Sequence, residues 1–108
     1  MWTVDNKTFK IEMTEGDYGI DLPIRFKKIE LSSNDSIKIV FKTQKEDEPL
    51  IEKIFTNIEN NVINLSFSAQ ETQKLSVGLY TYVMDWYKDG YFMCNLIKEA
   101  VLKVNNKA

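Results

Sequence analysis

Apolar residues in this chain recur at every second position, in short runs separated by turn residues. "TFKIEM" (Thr8 to Met13) sets Phe9, Ile11 and Met13 against Lys10 and Glu12. A period of two sends alternate side chains to opposite faces of a strand, so such runs build sheets with one buried face. The alternation returns as Ile20, Leu22, Ile24 and Phe26, then as Ile37, Ile39 and Phe41, and again as Ile63, Leu65 and Phe67. "LIEKIFT" reads as a further short strand. Between the runs lie "TEGDYG", "SSNDS", "KEDEP" and "IENN", rich in the residues that turns require. Gly16 and Gly19 supply positive φ in the first of these. Pro23 has no N–H to donate, which makes its strand an edge strand or a bulged one.

One segment breaks the pattern. Ser68 and Glu71 form an S-x-x-E capping box ahead of "AQETQKL". The helix is too short to stand alone, so it is expected as a crossover between sheets near residues 69–75. Two long strands follow, roughly Leu79 to Tyr87 and Tyr91 to Val104, and the tail 105–108 is expected to fray. The whole chain, 1–108, reads as a single all-β domain. Its expected form is an immunoglobulin-like antiparallel β-sandwich of about seven strands.

The densest aromatic stretch is "LSVGLYTYVMDWYKDGYFMC", residues 75–94. Leu75, Gly78, Tyr80 and Tyr82 have the spacing of a tyrosine corner, in which a Tyr early in a strand hydrogen-bonds back to the preceding corner. With Tyr80 in that role, Tyr82, Met84 and Trp86 point inward, and Thr81, Val83, Asp85 and Tyr87 point outward. The opposite phase would bury an unpaired Asp85 carboxylate. "KDG" suits a three-residue loop with a left-handed Gly90, placing Phe92, Cys94 and Leu96 inside beside Trp86, Met84 and Tyr82. A two-residue Asp-Gly loop would instead turn Met93 and Asn95 inward and bury Asn95 without a partner. The first register leaves Val83, Tyr87, Tyr91, Met93 and Ile97 as an outward stripe and candidate interface. That stripe is ordinary surface apolarity, a face under a covering loop, or a protein–protein contact, where Tyr and Met are enriched. Sugar stacking fits less well, because few carboxamides flank it.

Composition narrows the chemistry. The net charge is −2 and Arg25 is the only arginine, which disfavours a nucleic-acid partner. No histidine is present and Cys94 is the only cysteine, so histidine-based acid–base catalysis, catalytic triads, ordinary zinc sites and an internal disulfide are excluded. Cys94 reads as a small core hydrophobe. The acidic run Glu46, Asp47, Glu48 lacks the alternation and glycine of a calcium loop, and turn chemistry accounts for Asp17 and Asp21. Asp85 and Asp89 do not make a glycosidase-type pair. Four glycines form no phosphate-binding loop. Neither enzyme activity nor a cofactor is expected, and a small-molecule ligand is disfavoured. The first residues do not resemble a signal peptide, and no apolar run is long enough to span a bilayer. Synthesis in the cytoplasm is the expectation.

Several segments together resemble a known family. Gly16-Asp17 after the first strand, "DSIKIVFK" at Asp35 to Lys42, the run from Val62 to Gly90, and "AVLKV" at Ala100 to Val104 are similar to phage tail-associated immunoglobulin-like modules. The likeness is greatest to the N-terminal domain of baseplate upper proteins. It implies a non-enzymatic structural module of a phage or prophage particle, with itself and other phage structural proteins as partners and the virion as its final location. In baseplate upper proteins this domain heads a longer polypeptide. A binding module of another kind, for carbohydrate or as a prophage-encoded inhibitor of a host protein, is the alternative.

Overall fold

The computed structural model describes residues 3–5, 7–16, 21–45 and 48–106. They form eight strands and one helical turn: β1 (Thr3–Val4), β2 (Ile11–Thr14), β3 (Leu22–Arg25), β4 (Asp35–Thr43), β5 (Ile51–Phe55), β6 (Val62–Leu65), α1 (Ala69–Thr72), β7 (Gly78–Lys88) and β8 (Tyr91–Asn105). The protein is all-β in class. Six strands make one sheet in the order β1-β2-β8-β7-β4-β5, and β3 and β6 make a second. The expected antiparallel arrangement holds except at one place, where β2 runs parallel to β8 with Ile11 opposite Leu102 and Met13 opposite Val104. The second strand therefore lies beside the last, and β1 pairs with it at the sheet edge. Distant pairing of this kind leaves no mark in a local hydrophobic pattern.

Alternation does what the sequence requires of it in β4. Ile37, Ile39 and Phe41 are fully buried while Lys38, Val40 and Lys42 lie on the other face. Ile63, Leu65 and Phe67 are buried from the second sheet, and one core cluster joins both sheets. At its centre Phe41 meets Phe67 edge-on at 5.2 Å and lies 5.5 Å from Tyr82. Pro23 sits in the two-stranded sheet, where every strand is an edge and its missing donor costs nothing.

Helix α1 carries the chain from β6 in one sheet to β7 in the other. Both halves of its capping box are formed: Glu71 N donates to Ser68 Oγ, and Ser68 N donates to Glu71 Oε1 at 2.9 Å. The same Glu71 oxygen accepts from Lys53 Nζ at 2.9 Å, tying the crossover to β5. Burial pushes the Glu71 carboxyl up, but the Ser68 N–H and the Lys53 charge outweigh it and hold it low.

Two expectations at the ends change. Phe9 is not a core strand residue; it has φ +62 and is 45% exposed. Asp5 ties up the preceding turn, accepting from Lys7 N, Thr8 N and Phe9 N, so the strand begins only at Ile11. At the other end Asn105, within the tail 105–108 expected to fray, lies in a strand, and residues 107 and 108 lie outside the described residues. Asn105 pairs with Thr14 as the last residue of β8, and its carbonyl accepts from Glu15 N.

Candidate functional site

The β7–β8 hairpin carries the candidate surface, and its register follows from the turn. Lys88 pairs with Tyr91, so the loop is the two-residue Asp89-Gly90. Both residues have positive φ, +51 and +81, as a type I′ turn demands. Asp89 N also donates to Asn34 O at 2.9 Å, holding the tip against the turn before β4. The three-residue loop expected from "KDG" is thus absent. The two-residue alternative does not bury Asn95 either, because register shifts near Trp86, Met84 and Tyr82 give β8 extra residues. These bulges put Cys94 opposite Trp86, Asn95 opposite Asp85 and Ile97 opposite Met84. Asn95 stays outside, where its amide donates to the Asp85 carboxylate.

The five residues of the predicted stripe therefore part company. Tyr87 lies on the outer face beside Phe92, their rings edge-on at 5.7 Å. Val83 is on the same face, half-buried opposite Val40. Tyr91 and Met93 are exposed at the hairpin tip, 76% and 47%. Ile97 is a correction: it pairs with Met84 and packs against the core. Phe92 and Cys94, expected inside, are both exposed. Cys94 does share the inward face with Trp86, but the four-residue strands of the second sheet do not extend over the tip. What the structure assembles is a compact exposed group, Tyr91, Phe92 and Met93, backed by Tyr87. Three consecutive large apolar residues after an Asp-Gly turn were the available signal for it.

Inside the sheet the aromatic positions are structural. Tyr80, Tyr82 and Met84 are buried. Tyr80 Oη donates to Ser76 O at 2.8 Å, just before Gly78, which has φ +153. Tyr82 Oη donates to Phe9 O across the core, and burial pushes its hydroxyl up to about 12. Trp86 is only half-buried, and its Nε1 donates to Asp35 Oδ1 at 2.9 Å. Asp35 Oδ2 accepts from Ser32 N at 2.7 Å and from Ser32 Oγ. Burial pushes the Asp35 carboxyl up, but these donors outweigh it and hold it below its ordinary range. Thr81, expected outside, is buried on a central strand between Lys42 and Val101, whose longer side chains crowd it.

Sequence reasoning missed Asn61. In a left-handed conformation, φ +57, it accepts from Leu31 N at 2.7 Å and donates to Ile29 O at 2.7 Å and Phe26 O at 3.1 Å. One side chain thereby holds the whole β3–β4 connection. An Asn in "IENN" signals a turn, and nothing local distinguishes a hub from an ordinary turn residue.

No protein-family model, curated protein or solved structure matches the chain. Among the described residues no three metal-ligating side chains come together, and no helix is long and apolar enough to cross a membrane. Of the acidic groups weighed above, Asp17 beside Gly19, and Glu46 with Asp47, lie outside the described residues.

Proposed function

We propose that this protein is a non-enzymatic structural module of a phage or prophage particle, acting at a tail or baseplate through protein–protein assembly. The observation that carries the assembly role is the hairpin tip. Tyr91, Phe92 and Met93 are 76%, 54% and 47% exposed on a turn fixed by backbone geometry. Rigid aromatic and Met anchors at a protrusion are the groups that dominate interface energetics once a partner pocket desolvates them.

The finer fold reading belongs to the same proposal. A sheet ordered β1-β2-β8-β7-β4-β5 facing β3-β6, with β2 parallel to β8, is compatible with an immunoglobulin-like sandwich. The particle role itself rests on the resemblance in sequence pattern, and the tip supplies a physical means of assembly. Synthesis in the bacterial cytoplasm followed by incorporation into the virion goes with that role.

Light scattering on wild type and on the triple variant Tyr91→Ser, Phe92→Ser, Met93→Ser tests the assembly role. The wild type should gain mass with concentration, and the variant should stay monomeric with an unchanged fold. A wild type that remains monomeric at the highest soluble concentration contradicts self-assembly. Failure as well to co-purify with tail proteins encoded beside it would remove the reading altogether.

A further inference from the structure

A second feature lies away from the tip, at the margin between the two sheets. There a groove of about 460 Å³ opens between β3 with its following segment and the β7–β8 hairpin. Ile24, Phe26 and Ile29 line one side, and Met84, Leu96 and Ile97 the other. Leu96 and Ile97 are neighbours in sequence, yet both pack against the core, because the bulge opposite Met84 and Asp85 breaks the alternation there. The volume lies in the range of small-ligand sites, and the lining is of the apolar kind such sites have.

The rim has one sign of charge. Lys27 and Lys28 line the groove and no acidic residue does, while Arg25 borders both it and neighbouring clefts that hold Glu30 and Glu59. None of the three cations is in an ion pair among the described residues. This concentration of positive charge stands out in a chain whose net charge is −2. The walls are also held in place. Asn61 fixes the carbonyls of Phe26 and Ile29, and Tyr82 holds the carbonyl of Phe9, whose ring stands at the mouth.

From an apolar slot between sheets with an unpaired cationic rim, we infer that the groove binds an amphipathic anion. An unbranched acyl chain lies along the groove at the sheet margin and its carboxylate meets Lys27 and Lys28.

Titration with decanoate below its micellar threshold tests this, with decyltrimethylammonium as the same chain carrying the opposite charge. Calorimetry gives affinity and amide NMR gives location. Decanoate should bind saturably at one site, shifting resonances of Ile24 to Ile29 and of Leu96 and Ile97. The cationic amphiphile should bind on the order of tenfold more weakly, and Lys27→Glu with Lys28→Glu should reverse that order. Both lysines are exposed, so this variant should fold normally. Equal affinity for the two amphiphiles overturns the inference. So does unchanged decanoate affinity in the lysine variant, shifts confined to Tyr91–Met93, or no saturable binding. Displacement of decanoate by an acidic, leucine-rich peptide at lower concentration would assign the groove to a protein partner instead.

Discussion

Replacing Asn61 with Ala should cost about 3 kcal/mol, several times more than its position in a half-exposed turn suggests. Three side-chain hydrogen bonds are lost, to Leu31 N, Ile29 O and Phe26 O. A hydrogen bond contributes roughly 0.5–1.5 kcal/mol net, and the cost rises where the abandoned partner is buried. Leu31 is buried, whereas Phe26 and Ile29 are half-buried and water can reach part of their carbonyls. About 2 kcal/mol is therefore a reasonable sum for the three bonds. The left-handed backbone at φ +57 adds about 1 kcal/mol for Ala, which lacks the local side-chain bonds that let Asn occupy this region. Asn61→Gly loses the same bonds without the backbone penalty and should be the milder change by about 1 kcal/mol. Urea unfolding of the three proteins, analysed by linear extrapolation, measures both differences. Against a typical total of about 5–15 kcal/mol, a loss of 3 is easily resolved. If Asn61→Ala costs less than about 0.5 kcal/mol, as an ordinary surface substitution does, the side chain is not the hub of the β3–β4 connection.

Three further outcomes follow from other groups. Tyr82 has its hydroxyl raised to about 12 by burial, so its contribution is complete below pH 10 and is lost as pH rises through 12. Tyr82→Phe should flatten that alkaline loss, by about 2 kcal/mol, in unfolding measured from pH 9 to 12. Asp35 is held low, so its contribution is present above its ordinary value of 3.8 and is lost as pH falls through the folded value. Asp35→Asn should cost about 1–3 kcal/mol at pH 7 and reduce the acid sensitivity of the unfolding midpoint. Gly90→Ala should cost about 1 kcal/mol by thermal melting, from its positive φ alone, since an added Cβ would meet nothing within 4 Å.

How far the sequence carries the reader depends on the range of the interaction. The phase of β4, the buried face of β6, the capping box at Ser68 and the inward set Tyr80, Tyr82 and Met84 were all legible, because each rests on a period of two or on a three-residue spacing. The hairpin register was not. β8 reads "YFMCNLIKEAVLKVN", with apolar residues adjacent at several points, and each bulge reverses the phase for every residue beyond it. Ile97 and Phe92 were therefore assigned to the wrong face, and Cys94 to a core that does not extend that far. Phe9 failed for a different reason. Its place in "TFKIEM" fits a strand, but Asp5 supplies a competing turn and a carboxylate that accepts backbone N–H groups. The parallel pairing of β2 with β8 depends on closure of the whole sheet.

A mismatch in strand length accounts for the groove and for the exposed inward side of the hairpin tip. At about 3.3 Å per residue, the four-residue strands β3 and β6 span about 13 Å, against about 36 Å for the eleven residues of β7. The small sheet therefore covers the centre of the large one, where Phe41, Phe67 and Tyr82 meet, and leaves the hairpin end bare. Beyond its end, the inward face of the hairpin has nothing to pack on, so Cys94 is exposed although it lies opposite Trp86. At its margin the groove opens, and the bulge that brings Leu96 and Ile97 to the same side lines it with apolar groups. A longer β3–β6 pair would cover Tyr91 and Cys94 and close the groove, whereas Phe92, on the outer face with Tyr87, would stay exposed.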